Sequence, residues 1–369
     1  MTRAMTETPT GTPAEPEADR ADDVGADIET DPAPEAKIRI RNLWKIFGRD
    51  PQTALAEARA GASKAELLER TNHVLGIRDV SLDVPARRLQ VVMGLSGSGK
   101  STLIRHINRL IDPTAGELLI DGEDVLAMST AQLRDLRRFK ASMVFQKFAL
   151  LPHRKVRENV GYGLEIQGVP EAEADRRARH WIDRVGLSGY EGHYPGQLSG
   201  GMQQRVGLAR ALATESEILL MDEAFSALDP LIRHDMQSIL LELQNELHKT
   251  IVFITHDLDE ALRLGDDIAI LRDGQMVQQG DAQTILLAPA DDYIRDFIKD
   301  INRGRVVRLG SLANGGVAPE GQALPADTLL EDALVPLAEA PGQTLGVTDR
   351  NGRVIGTVAL PDALRAMHA

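Results

Sequence analysis

Gly94-Leu95-Ser96-Gly97-Ser98-Gly99-Lys100-Ser101 follows the apolar run Leu89-Gln90-Val91-Val92-Met93 and precedes a helix-like segment, Thr102 to Leu110. A strand, a glycine-rich turn ending in Lys-Ser, and a helix make a phosphate-binding loop. Glycines let the backbone wrap closely around an anion, because no Cβ blocks positive φ. The turn's N–H groups and the helix N-terminus then face the phosphates. Lys100 can reach the β- and γ-phosphates, and the Ser101 hydroxyl can ligate Mg²⁺.

Working outward, Ile218-Leu219-Leu220-Met221 reads as an apolar strand ending in two acids, Asp222 and Glu223. Asp222 suits Mg²⁺, which prefers oxygen ligands and keeps several waters. Glu223 can polarise an attacking water. Upstream, Leu198-Ser199-Gly200-Gly201-Met202-Gln203 opens a helix and forms a second anion-binding turn. One nucleotide has only one γ-phosphate, so two such turns need a reason. A symmetric dimer supplies it, each copy's second turn covering the other's nucleotide.

Further strand signals stand at Lys37 to Arg41, Leu75 to Val84, Gly116 to Gly122, Met143 to Phe145, Ile251 to Ile254 and Ile268 to Leu271. Near-continuous apolar strands alternating with helices imply an α/β fold with a parallel sheet covered on both faces. Residues 49–73 read as a helical insertion, since Ser63-Lys64-Ala65-Glu66 has capping-box spacing before Leu67 and Leu68. Residues 303–326 read as a linker, rich in Gly, Ala and Pro. Beyond it the pattern runs helix (Leu329 to Ala340), strand (Thr344 to Thr348), turn, strand (Val354 to Ala359) and short helix.

Composition narrows the class. The 369 residues carry a net charge of −13 and no cysteine. An acidic balance argues against a nucleic-acid surface, so no nucleic-acid partner is expected. The absence of thiols excludes disulfides and thiolate metal sites, and fits a reducing cytosol. No apolar run of roughly eighteen residues is present to cross a bilayer, and the first residues lack a signal-peptide pattern. Residues 1–36 hold ten acidic residues against two basic ones, with few aromatics, and are expected to be a disordered acidic tail.

The ordered set of phosphate loop, Gln146, Leu-Ser-Gly-Gly turn, Asp222-Glu223, Ser226-Ala227-Leu228-Asp229 and His256 resembles the ATP-binding cassette (ABC) ATPases over about residues 37–300. That resemblance implies a P-loop NTPase fold of ABC type over residues 37–302, with a helical subdomain at about 147–215. ATP would be held by Gly94 to Thr102 and Mg²⁺ by Ser101, Gln146 and Asp222. Glu223 takes the role of catalytic base, His256 that of γ-phosphate contact, and Gln146 that of Mg²⁺ sensor and membrane-partner contact. Leu198 to Gln203 would cover the partner's nucleotide, and Ser226 to Asp229 would form a dimer loop. An aromatic residue stacks on adenine in the family; Phe47 fits that place, with Trp44 as its rival. Met202 replaces the glutamine that often follows the glycine pair.

The insertion, with Leu43-Trp44-Lys45-Ile46-Phe47-Gly48, Phe145-Gln146-Lys147-Phe148 and Thr255-His256-Asp257-Leu258-Asp259-Glu260-Ala261, is similar to the ATPase subunits of glycine betaine/proline betaine importers. Lys147 stands where a small polar residue is usual. This narrower resemblance implies an ATP-hydrolysing subunit that works as a homodimer on the cytoplasmic face of the cell membrane. Its partners would be membrane permease subunits, contacted around Lys147 to Val160, and a separate substrate-binding protein. Residues 327–369 resemble a single cystathionine-β-synthase (CBS) repeat, a small α+β segment. Such repeats usually form a ligand site in pairs, so one repeat implies pairing across the dimer or a lost regulatory role. The alternatives are an importer ATPase for another solute such as an amino acid, and a non-transport ABC ATPase.

Overall fold

A computed structural model describes residues 36–146, 149–226, 228–316 and 323–368. The acidic tail up to residue 35, Lys147 and Ala227 lie outside the described residues. The ordered chain opens with β1 (Ala36–Phe47). The insertion follows as α1 (Pro51–Arg59) and α2 (Lys64–Thr71), and the chain returns as β2 (Val74–Pro85). Asp50 caps α1 by accepting from the Thr53 N–H, with Pro51 in the first turn where its missing N–H costs nothing. The capping box expected on α2 is formed: Ser63 Oγ accepts from the Glu66 N–H, and Glu66 accepts from the Ser63 N–H at 2.7 Å. Leu55, Ala58 and Leu67 face inward onto Trp44, Ile46 and Leu75, giving the insertion its own small core. Burying Leu67 alone contributes about 2 kcal/mol.

Next come β3 (Leu89–Met93) and α3 (Lys100–Ile107), then β4 (Ala115–Ile120) and the two-residue β5 (Glu123–Asp124). After α4 (Thr130–Asp135) the helix widens into a π-turn, Leu136–Lys140, that leads into β6 (Ala141–Val144). Three helices then cluster together: α5 (Val156–Gln167), α6 (Glu171–Arg184) and α7 (Gly200–Ala213). The alternation resumes with β7 (Ile218–Asp222), α8 (Pro230–Leu247), β8 (Thr250–Thr255), α9 (Leu258–Leu264) and β9 (Asp267–Arg272). It ends in β10 (Gln275–Gly280), α10 (Ala282–Leu287) and α11 (Asp292–Ile298).

The main sheet has the order β10-β9-β3-β8-β7-β6 and is parallel except for β10. Its strands are apolar on both faces, as expected for a covered parallel sheet. Leu219, Met221, Ile251 and Phe253 face the helical cluster, while Ile218, Leu220, Val252 and Ile254 face α3 and the first strands. Those first strands form a second, antiparallel sheet, β2-β1-β4-β5, which sequence alone did not separate from the first. Nor did it find β10, whose Gln275, Gln278 and Gln279 make a polar edge without alternation.

The C-terminal segment consists of β11 (Ala323–Pro325), α12 (Leu330–Glu339), β12 (Thr344–Thr348), β13 (Val354–Ala359) and α13 (Leu360–His368). The expected order is present, with β11 added as a parallel neighbour of β12. In its described part, the stretch read as linker carries two 3₁₀ turns, Arg303–Arg305 and Leu309–Leu312, besides β11. Val307 and Leu309 are fully buried. Gln283 of α10 ties this stretch down through its amide, donating to the Val306 carbonyl and accepting from the Arg308 N–H, both at 2.9 Å. At Gly310 a small residue serves close packing, since a Cβ there would sit 2.9 Å from Ala326.

Candidate functional site at the strand ends

Four adjacent parallel strands, β3, β8, β7 and β6, deliver their C-terminal ends to one edge of the sheet, where open α/β sheets bind ligands. The phosphate loop leaves β3 after Met93, Glu223 follows β7, His256 follows β8, and Gln146 stands two residues beyond β6. Residues far apart in the chain meet because their strands pair in register, Met93 with Thr255 and Asp222 with Ile254.

Two loop glycines are required by space as well as by backbone conformation. Gly94 lies at φ +147°, and a Cβ there would sit 2.1 Å from the Leu271 carbonyl oxygen. Gly99 lies at φ +103°, and a Cβ would sit 2.6 Å from the Gly76 carbonyl oxygen. Gly97, at φ +78°, has open space where its Cβ would be. Lys100 opens α3 and is almost wholly buried, its Nζ donating to the carbonyls of Gly94 at 2.7 Å and Leu95 at 2.9 Å. Burial pushes its pKa below the usual lysine value, against the pull of Glu223 and Asp222. A buried ammonium held by neutral carbonyls is a cation ready for an anionic ligand, and the buried Ser98 hydroxyl has no hydrogen-bond partner.

Ser101 Oγ donates to Asp222 Oδ1 at 2.7 Å, and Arg105, one turn along α3, binds Asp222 Oδ2 at 3.0 Å. Asp222 itself is buried. Side-by-side hydroxyl and carboxylate oxygens, with the Gln146 amide nearby and no sulfur, are a donor set for a hard cation such as Mg²⁺. Gln146 Nε2 donates to Glu223 Oε2 at 2.9 Å, His256 Nδ1 lies 3.8 Å from that same oxygen, and Lys100 Nζ lies 3.9 Å from Glu223 Oε1. Glu223 adopts φ +47°, a sparsely populated conformation held by its N–H bond to the Ile254 carbonyl at 3.1 Å.

Lys100, Ser101, Gln146 and Glu223 border a cavity of about 430 Å³, whereas Asp222 and His256 do not line it. Its lining includes Phe47, Val74 and Leu75, residues 99–102 with Gly97, and Gln146 with Glu223. An aromatic ring, a cationic turn and an acid-amide pair share this lining, a set that suits a flat base joined to phosphates. Burial separates the two aromatics. Phe47 is 39% exposed and lines the cavity, whereas Trp44 is 6% exposed and packs inside the insertion's core.

The second glycine turn is formed but stands elsewhere. Ser199 caps α7 by accepting from the Met202 N–H at 3.3 Å, and Gln203 Nε2 donates to the Leu198 carbonyl at 3.2 Å. A Cβ on Gly201 would sit 2.7 Å from Ile232. None of Leu198 to Gln203 lines the cavity. Ser226 Oγ donates to the Glu223 carbonyl at 3.0 Å, Leu228 is buried, and Asp229 caps α8 by accepting from the Ile232 N–H at 3.1 Å. Sequence reasoning missed Arg105, although its i+4 spacing from Ser101 puts both on one face of α3. It also missed Lys64, which lines the cavity from the insertion.

A fold with this loop, strand-end acids and helical cluster is that of an ABC ATPase. The ABC transporter family pattern matches residues 77–226. The chain is 46% identical to a glycine betaine transport ATP-binding protein of Bacillus subtilis, over 89% of this chain and 78% of that one. It is 51% identical to a glycine betaine/proline betaine transport system ATP-binding protein of Escherichia coli, over 75% of this chain and 69% of that one. It is 47% identical to a trimethylamine N-oxide transport system ATP-binding protein of Ruegeria pomeroyi, over 85% and 95%. Among solved structures, a dimeric ATP-binding cassette bound to ADP and Pi matches with a TM-score of 0.58 and 30% identity, covering 66% of this chain and 98% of that one. The chain belongs to the ABC transporter family, as an ATP-binding ATPase subunit.

Proposed function

We propose that this chain hydrolyses ATP to power import of a methylated amine such as glycine betaine or proline betaine. The observation that carries the ATPase part is the convergence of Lys100, Ser101, Asp222, Gln146, Glu223 and His256 at four adjacent strand ends. Phe47 stacks on adenine, and the loop N–H groups with Lys100 hold the phosphates. Ser101, Asp222 and Gln146 would hold Mg²⁺, which would supply positive charge against the phosphates. Glu223 accepts a proton from the attacking water, and Gln146 and His256 fix the carboxylate and the outer phosphate.

Completing the site needs a second copy, because Leu198 to Gln203 stand away from the cavity in one chain. Two copies close over two nucleotides and reopen when phosphate leaves, which removes the bridging charge. Residues around 147–160 pass that motion to a membrane permease on the cytoplasmic face, as a difference in binding energy between two states. A separate binding protein captures the solute. Residues 327–369 form a CBS-like unit that either pairs across the dimer or has lost a regulatory role.

The solute assignment rests on the named relatives, which include both betaine and trimethylamine N-oxide systems. The methionine import relatives align to less of the chain, 62% and 72%. Uptake of labelled glycine betaine, proline betaine, trimethylamine N-oxide and methionine into cells lacking and regaining this subunit tests the reading. Restored uptake of a methylated amine, lost again with Lys100→Ala, is expected. Restored methionine uptake alone would overturn the solute assignment, and uptake unaffected by Lys100→Ala would overturn the ATPase role.

A further inference from the structure

The insertion is more than an ornament on the nucleotide-binding core. It leaves and re-enters at one point, because Phe47 and Val74 are paired across β1 and β2. Gly48 and His73 pack so closely there that a Cβ on Gly48 would lie 2.0 Å from the His73 ring. Both ends of the insertion are thus held beside Phe47 and Val74, which line the cavity. Its second helix is fixed as well, since the Ser63–Glu66 capping box sets its first turn and Leu67 is fully buried against the Trp44 core.

Lys64 is the first residue of that fixed helix. Its side chain lines the cavity and crosses to the phosphate loop, Nζ lying 3.2 Å from the Gly97 carbonyl oxygen. Among the described residues its charge has no carboxylate partner. Glu223, which shares the cavity lining, is engaged with Gln146, and the buried Asp222 with Ser101 and Arg105. A neutral carbonyl is a weak partner for an ammonium, and a phosphate oxygen is a much stronger one.

We infer that Lys64 is a phosphate-binding residue, by which the insertion adds a second lysine to the nucleotide site and closes over the loop from outside. This rests on the cavity being the ATP site. Lys64 would shift from the Gly97 carbonyl to a phosphate oxygen when nucleotide enters. Its flexible stem and three donors permit that exchange without movement of α2.

The test uses the full chain and measures affinity for ATP and for adenosine in wild type, K64Q, K64R and K100A. K64Q is expected to weaken ATP about tenfold, the scale of one charge-assisted hydrogen bond, with adenosine unchanged. K64R should stay within about threefold of wild type, since it keeps the charge. In the wild type, saturating ATP should protect Lys64 from acetylation by an N-hydroxysuccinimide ester, a readout that needs no variant to fold. ATP affinity unchanged in K64Q, equal loss of ATP and adenosine, or no protection would each overturn the inference. Failure of the wild type to bind ATP, or full ATP affinity in K100A, would instead overturn the nucleotide site itself and the inference with it.

Discussion

Gln146 donates from Nε2 to Glu223 Oε2 at 2.9 Å, joining the residue beyond β6 to the residue beyond β7. The bond holds one carboxylate oxygen while Lys100 faces the other at 3.9 Å. Glu223 is also fixed in its backbone, at φ +47°, directly after a buried strand. Held at both main chain and side chain, Glu223 needs little rearrangement for its proposed role as proton acceptor.

Replacing Glu223 with Gln removes that acceptor and keeps the side chain's shape. Hydrolysis should fall by about 10²- to 10⁴-fold, the usual yield of a positioned general base. ATP affinity should change little, and the ATP-bound chain should accumulate as a dimer on gel filtration. Steady-state phosphate release at the wild-type rate would assign the base elsewhere.

Phe47 and Trp44 are three residues apart on β1 and should respond in opposite ways. Phe47→Ala should weaken ATP binding roughly tenfold, within the range for losing one base-aromatic stack, with little change in urea stability. Trp44→Ala should cost about 3–5 kcal/mol, as a large cavity in a packed cluster does. Equal losses of ATP affinity in stability-matched conditions would contradict the division of labour.

His106 should make stability fall in mild acid. It is fully buried on α3, with Nδ1–H donating to the Thr102 carbonyl at 2.6 Å and Nε2 left without a partner. Burial pushes its pKa down to about 4, opposed by that hydrogen bond and aided by the Lys45 ammonium. The folded chain keeps this imidazole neutral, whereas the unfolded chain protonates it below about 6.5. Its contribution is therefore whole at neutral pH and declines as pH drops from about 6.5 toward 4, by about 2 kcal/mol at pH 5. Urea unfolding of wild type and His106→Leu at pH 7.5 and 5.0 reads this as a smaller pH difference in the variant. An identical pH difference in both would remove His106 as the cause.

Gln283 should govern how firmly the C-terminal segment is held. Its amide bonds Val306, Arg308 and Ser311 from α10. Gln283→Ala leaves these groups short of partners and should weaken the attachment by about 1–3 kcal/mol. The expected sign is faster tryptic cleavage at Arg305 or Arg308, with ATP binding intact. Unchanged cleavage would mean that the apolar contacts of Val307 and Leu309 suffice.

Much of this was legible in the residues. The phosphate loop, the Asp222-Glu223 strand end and the Ser63 capping box are local patterns, and each formed as read. Less legible were β10, the antiparallel sheet and the packed stretch after residue 303. Their stability comes from neighbours rather than from alternation or propensity, so polar Gln275 to Gln279 and the small residues near Gly310 carry no local signal.

Taken alone, the order of residues determined the chemistry on offer: where glycines permit a cradle, where a lysine and two acids stand, and which runs must be buried. Tertiary structure alone decided which of them meet. Phe47 rather than Trp44 faces the cavity, Arg105 pairs with Asp222, and Lys64 reaches Gly97. The physical reason is range. Turn geometry and amphipathic patterning act over a few residues of chain, whereas burial and strand register act across the whole fold and bring together positions that share no pattern.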